Sequence, residues 1–324
     1  MMNARRLGIA AAATSLLLAG CGGSAEEELA TGGADGGPRA LTVADTNGAP
    51  LYFLQYGDQE GFFDDAGVDL TIQPSQGGAT VIPALTSGDI DVAGSNVVSA
   101  LVAASRGLPV RMVAGGTSTA EEPEQDFSAL MVAPDSSVTG IGQLAGQQIA
   151  VNSLANINDI VVGSMLEEAG LSYDSVQFVE IPFPEMAATV ASGDVAAAVI
   201  IEPFVTVAEE QGLKIIGRPY TDLRPGLQIG TYLMTAEAVE ADPEAVEAFQ
   251  RGVQATADAI QQDPDAFRAA LPEIGGLDPA LAEKVRINLW RGADDRESIE
   301  LIQGLMVEYG LIEEEADLDT VVVG

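Results

Sequence analysis

The polar side chains best placed to grip a small molecule stand at the ends of short apolar runs. Glu202 follows AAAVII, residues 196–201, so its side chain starts beside a dry interior. An unpaired carboxylate there is costly and needs a partner. A ligand amine or N–H, a protein arginine, or solvent would serve; ligand contact is the preferred reading. Pro203 stops the run, and Phe204 is placed to wall a cleft. Ser95 and Asn96 follow IDVAG in the same way. Asn152, Asn156 and Asn158 put three amides within seven residues at the end of Ile149-Ala150-Val151. Gln76-Gly77-Gly78 precedes a short apolar helix, whose first N–H groups have no partner within the helix. Asn47 to Pro50 lie past the first strand. Tyr52, Phe53, Phe183 and Tyr232 offer aromatic faces, though such rings are more often core. The expected ligand-binding set is therefore Asn47, Pro50, Gln76, Gly77, Gly78, Ser95, Asn96, Asn152, Asn156, Phe183, Glu202 and Tyr232.

This set is amide-rich with one acid. No arginine stands at an expected strand end, where a strong anion would recruit one for paired hydrogen bonds. A neutral or amine-bearing molecule, such as a heterocycle, fits it best. Helix starts can nonetheless hold a sulfonate or nitrate. The chain has no histidine and a single cysteine, Cys21. Ser-His and Cys-His nucleophiles are therefore excluded. So are His/Cys zinc and copper sites. No catalytic residue, metal or cofactor is expected.

The elements that must hold these residues alternate. Strands are expected at Leu41–Ala44, Val68–Ile72, Ile90–Ala93, Val110–Ala114 and Ala129–Ala133, with helices between them. The order then restarts at Ile149–Val151, with further strands at Val176–Ile181, Ala197–Ile201 and Lys214–Ile216. Ser87-Gly88-Asp89 and Ser192-Gly193-Asp194 each close a helix and open a strand, which is ordinary turn chemistry. Strand-helix alternation implies open, mostly parallel sheets whose ligands bind beyond the strand carboxyl ends. After Ile229–Thr235 the chain reads as all helical. Asp242-Pro243, Asp263-Pro264 and Asp278-Pro279 each set a capping carboxylate before proline at a helix start.

Residues 1–20 have the pattern of an export signal. Arg5 and Arg6 precede an apolar stretch, Leu7 to Leu18, too short to span a bilayer. Leu18-Ala19-Gly20-Cys21 resembles a lipobox, which makes Cys21 the expected lipidation site. Residues 21–40, rich in Gly, Ala and Glu, read as a tether reaching about 25 Å. The formal net charge is −35, from 14 basic and 49 acidic residues. Such a charge opposes nucleic acid and anionic lipid, so no nucleic-acid partner is expected.

The chain resembles ABC-importer substrate-binding lipoproteins of the group that binds aliphatic sulfonates, nitrate or taurine, and thiamine pyrimidine precursors. Gly61-Phe62-Phe63, Gly67-Val68-Asp69, Gln76-Gly77-Gly78-Ala79 and Ser87-Gly88-Asp89-Ile90-Asp91 carry the resemblance. Ser95-Asn96, Leu144-Ala145-Gly146 and Glu202-Pro203-Phe204 complete it, in order, across most of residues 41–235. It implies a type II periplasmic-binding-protein fold: two α/β lobes, residues 41–132 plus 226–324 and residues 133–225. Crossovers would lie near 133–138 and 218–228. It implies a monomer on the outer face of the cell membrane that closes on its ligand and delivers it to a permease and ATPase. Aliphatic sulfonate, taurine or nitrate binding, and a surface sensor, are the alternatives. A pyrimidine-precursor synthase is disfavoured, because that chemistry is associated with His and Cys groups.

Overall fold

The computed structural model describes residues 37–323. The export signal, Cys21 and the tether to residue 36 lie outside it. Two five-stranded sheets carry the fold. The first takes β1 (Arg39–Thr46), β2 (Val68–Ser75), β3 (Val92–Asn96), β4 (Val110–Gly115) and, much later, a strand at Gly230–Thr235. Its helices are α1 (Ala49–Gln59), α2 (Phe62–Ala66), α3 (Gly78–Ser87) and α4 (Val97–Ser105). After the short β5 (Thr117–Ser118), the second sheet takes β6 (Ser128–Val132), β7 (Gln148–Val151), β8 (Gln177–Glu180), β9 (Ala197–Ile201) and β10 (Lys214–Gly217). Helices α5 (Ile157–Glu168), α6 (Phe183–Ser192), α7 (Phe204–Glu210) and α8 (Pro219–Leu223) go with it. The chain then returns through β11 (Gly230–Thr235). It ends in α9 (Ala236–Ala241), α10 (Pro243–Gln262), α11 (Pro264–Gly275), α12 (Pro279–Ala282), β12 (Leu289–Trp290), α13 (Arg296–Glu308) and α14 (Leu318–Val321).

The two sheets follow one plan. The first runs β2-β1-β3-β11-β4 and the second, read from its far edge, β8-β7-β9-β6-β10. In each, four strands point one way and one is opposed: β11 is antiparallel to β3 and β4, and β6 to β9 and β10. The opposed strand is the one that enters from the other lobe. The repeated Ser-Gly-Asp turns precede the equivalent strands β3 and β9. Gly88 and Gly193 take φ of +80° and +79°, a conformation that costs glycine little. Each serine hydroxyl donates to the aspartate two residues on, at 2.8 and 2.7 Å, on the exposed surface.

Two expectations are corrected by the pairing. Ser128–Val132, expected in the first lobe, pairs with β9 and β10 in the second sheet, so the first crossover precedes Ser128. The tail is not purely helical: Leu289 and Trp290 pair with Ser118 and Thr117. Two-residue strands leave no periodic signature to read.

The capping aspartates are as the sequence dictates. Asp242, Asp263 and Asp278 accept from the backbone N–H of Ala245, Ala266 and Ala280 at 2.8–3.1 Å. Val246, Phe249, Val253 and Ile260 of α10 form its buried stripe, packed over α1 and α2. The helical tail thus belongs to the first lobe. The crossovers are laced together. Thr119 exchanges backbone and hydroxyl bonds with Leu227, and Asp126 accepts from Thr221 N–H at 2.7 Å. Among the described residues, no helix is long and apolar enough to cross a membrane.

Candidate functional site

The carboxyl ends of both sheets meet at a recess between the lobes. Thr46 ends β1, and Ser95 and Asn96 end β3; Asn152 follows β7 and Ile201 ends β9. The crossovers supply Thr117, Phe127, Tyr220, Ile229 and Gly230 as its back wall. The starts of α1, α5 and α6 contribute Pro50, Asn156 with Ile157, and Phe183. With the lobes drawn together the cavity holds about 40 Å³. That is room for about three water molecules, so a larger guest requires the lobes to part about their hinge. No charged side chain is among the lining residues.

Three amides and four hydroxyls make the polar lining, and each amide is tied down. Asn96 caps α4: its Oδ1 accepts from Ser99 N–H at 3.0 Å and its Nδ2 donates to the Ser99 hydroxyl at 3.1 Å. Asn156 caps α5 by accepting from Asn158 N–H at 2.7 Å. Asn152 Oδ1 accepts from both Asn156 Nδ2, at 3.0 Å, and Asn158 Nδ2, at 2.8 Å. Tyr220 Oη donates to Asn158 Oδ1 at 2.8 Å, and its ring stands 5.3 Å from that of Phe127. Burial of the phenol pushes its ionisation far above the usual range, so Tyr220 stays neutral.

The expected set divides. Pro50, Ser95, Asn96, Asn152, Asn156 and Phe183 come together on the recess. Gln76, Gly77 and Gly78 form its lip. The Gln76 side chain is exposed, but its carbonyl accepts from Asn152 Nδ2 of the other lobe at 2.8 Å. A Cβ on Gly77 would stand 2.6 Å from that nitrogen. Asn47 is half-buried on the rim beside Thr46, its N–H bonded to Ser75 O.

Two members lie elsewhere. Tyr232 is buried behind the first sheet, edge-on to Phe249 at 5.3 Å, and it hydrogen-bonds Asp45. Strand alternation turns its side chain to the α10 face, away from its neighbours on the cleft side. Glu202 is fully buried, but its carboxylate turns from the recess. Oε2 accepts from Thr206 N–H at 3.1 Å; Oε1 accepts from the Thr206 hydroxyl at 3.1 Å and Arg286 Nη1 at 3.0 Å. Desolvation raises its pKa while these donors oppose the rise. Its backbone also serves the seam: Glu202 O accepts from Ala49 N–H at 3.0 Å. Gly48, at φ +116°, makes this approach possible, since its Cβ would come within 3.0 Å of that oxygen. The ligand-amine preference for Glu202 is therefore replaced by the arginine pairing.

Sequence reading missed Thr46, the last residue of β1. It also missed Thr117, Phe127 and Tyr220, which lie in or next to the crossovers, where no period marks which side chains turn inward.

A family model described as NMT1/THI5 like matches residues 45–267, more than half of the chain. The chain belongs to the NMT1/THI5-like family. Among solved structures, this NMT1/THI5-like chain resembles the alkanesulfonate-binding protein SsuA from Xanthomonas axonopodis pv. citri bound to MOPS. Identity is 18%, covering 89% of this chain and 99% of that one, with TM-score 0.75. The periplasmic aliphatic sulphonate binding protein SsuA from Escherichia coli matches at 18% identity, 89% and 92% coverage and TM-score 0.68. The ligand-binding component of an ABC-type import system from Staphylococcus aureus, with zinc bound, matches at 12% identity, 88% and 96% coverage and TM-score 0.73. No curated protein matches the sequence. The fold of the NMT1/THI5-like chain is thus that of the periplasmic solute-binding proteins of ABC importers.

Proposed function

We propose that this chain is the extracytoplasmic solute-binding component of an ABC importer. It is anchored through a lipid on Cys21, works as a monomer and does no chemistry on its ligand. It takes one small neutral molecule, such as a heterocycle, between its lobes and presents the closed form to a permease with its ATPase. What supports the reading is the interlobe recess lined by amides, hydroxyls and aromatic rings with no charged group among them. With Glu202 engaged by Arg286, an amine has no carboxylate to meet there. The ligand-binding residues are then Pro50, Ser95, Asn96, Asn152, Asn156 and Phe183 of the expected set, joined by Thr46, Thr117, Phe127 and Tyr220.

A second reading, a sulfonate ligand, is favoured by one observation. The recess is ringed by the N-termini of α1, α4 and α5, whose dipoles attract anions. Two of the structural neighbours named above are sulfonate-binding proteins. Mass spectrometry of ligand carried through mild purification identifies the guest directly. Thermal-shift screening is expected to give its large midpoint rises with neutral heterocycles. Large rises confined to sulfonates or nitrate would refute the neutral ligand and leave solute binding standing.

A further inference from the structure

The amides lining the recess are held in one orientation by backbone groups that have only one role each. Gln76 C=O can only accept, so Asn152 must point Nδ2 at it, 2.8 Å away, and keep Oδ1 for its own lobe. That oxygen receives Nδ2 of both Asn156 and Asn158. Asn158 N–H can only donate, which fixes Asn156 Oδ1 as its acceptor. Ser99 N–H likewise fixes Asn96. The carbonyl ends of the three lining amides are thus each engaged within the protein. Asn152 Oδ1 is filled by two donors, and Asn156 Oδ1 takes Asn158 N–H together with the capping-box N–H of Asp159; Asn96 Oδ1 retains one lone pair. On the donor side, each Nδ2 makes one bond and carries a second hydrogen with no acceptor among the described residues.

Resting on the solute-binding reading above, we infer that the recess selects a hydrogen-bond-accepting head, carbonyl, sulfonyl or sulfonate oxygens, and rejects a donor-only cation. Asn96, Asn152 and Asn156 are the specificity-determining residues. Asn96 of the first lobe and Asn152 and Asn156 of the second all line the recess, each with one such N–H to give. A head with two or three oxygens therefore bridges the lobes. The threonine hydroxyls of Thr46 and Thr117 adapt to either role. An ammonium would meet N–H groups and leave them unpaired at closure.

Three probes sharing a phenyl ring separate the possibilities: benzenesulfonate, methyl phenyl sulfone and benzamidinium. Calorimetric titration of the purified chain is expected to detect the first two and not the third. In Asn96→Asp the helix cap survives, because a carboxylate also accepts from Ser99 N–H. The unliganded thermal midpoint should therefore hold, while affinity for the detected acceptor probe falls about tenfold to a hundredfold. Benzamidinium binding more tightly than both acceptors would overturn the inference and leave solute binding intact. An unchanged affinity in Asn96→Asp would overturn the assignment of that residue. Binding of none of the three would overturn the inference together with the reading beneath it.

Discussion

Glu202 and Asp45 show how little a carboxylate's position along the chain says about its employment. Both follow apolar residues near a strand end, and both are buried. Glu202 is spent on Thr206 and Arg286. Glu202→Ala should therefore cost about 3 kcal/mol in urea denaturation, the penalty of breaking a buried pair, yet leave ligand affinity within about twofold. A large affinity loss at unchanged stability would restore the ligand-contact role. Asp45 sits under the first sheet, taking Thr46 N–H at 2.6 Å and the Tyr232 hydroxyl. Burial pushes its carboxyl up to about 7 from 3.8. Asp159 is raised to about 7 as well, and Asp294 to about 6. The folded state then binds more protons than the unfolded between about pH 4 and pH 7. By linkage these groups make stability fall as pH rises through that window. Urea midpoints should be higher at pH 5 than at pH 8, and Asp45→Asn should flatten the slope.

Elements were the most legible level. Strand-helix alternation, the Asp-Pro caps and the paired Ser-Gly-Asp turns could all be read from residue types, because they depend on local backbone chemistry. The stretches just past strand ends named five of the recess residues for the same reason, and Phe183 was named as an aromatic face. Side-chain direction was not legible: Glu202 sits at the expected strand end and Tyr232 within the expected strand, but both face other neighbours. The β5–β12 pair and the inward crossover residues Phe127 and Tyr220 are products of tertiary pairing without a local period. The lip is the sharpest case, because Gln76-Gly77 meets Asn152 only when two distant elements approach. Gly77→Ala places a methyl 2.6 Å from Asn152 Nδ2 while touching neither lobe's core. Affinity should drop about tenfold, for roughly 1–2 kcal/mol of overpacking felt at closure. The unliganded thermal midpoint should fall as well, because Gly77 holds φ +158°, where a side chain is strained.

Taken whole, the molecule is two acidic bodies joined by laced crossovers and pinned at the seam by a few cations. Arg286, in the tail of the first lobe, bonds Glu202 and Glu209 of the second at 3.0 and 2.7 Å, and Lys284 pairs with Glu210. Arg286→Met leaves those acids facing each other without their counter-charge. Small-angle scattering should show a larger radius of gyration for the variant without ligand, restored toward the parent value on saturation. An identical radius in both would mean the arginine only steadies the tail. The opposed strands carry a different consequence, for how the chain reaches this shape. Every strand of the second sheet lies within residues 128–217, so that lobe is complete once its own stretch is available. The first sheet has a gap between β3 and β4 until β11 arrives, more than a hundred residues after β4. Because distant pairings are slow to find, the half of the molecule that begins the sequence should be the last to acquire its finished sheet.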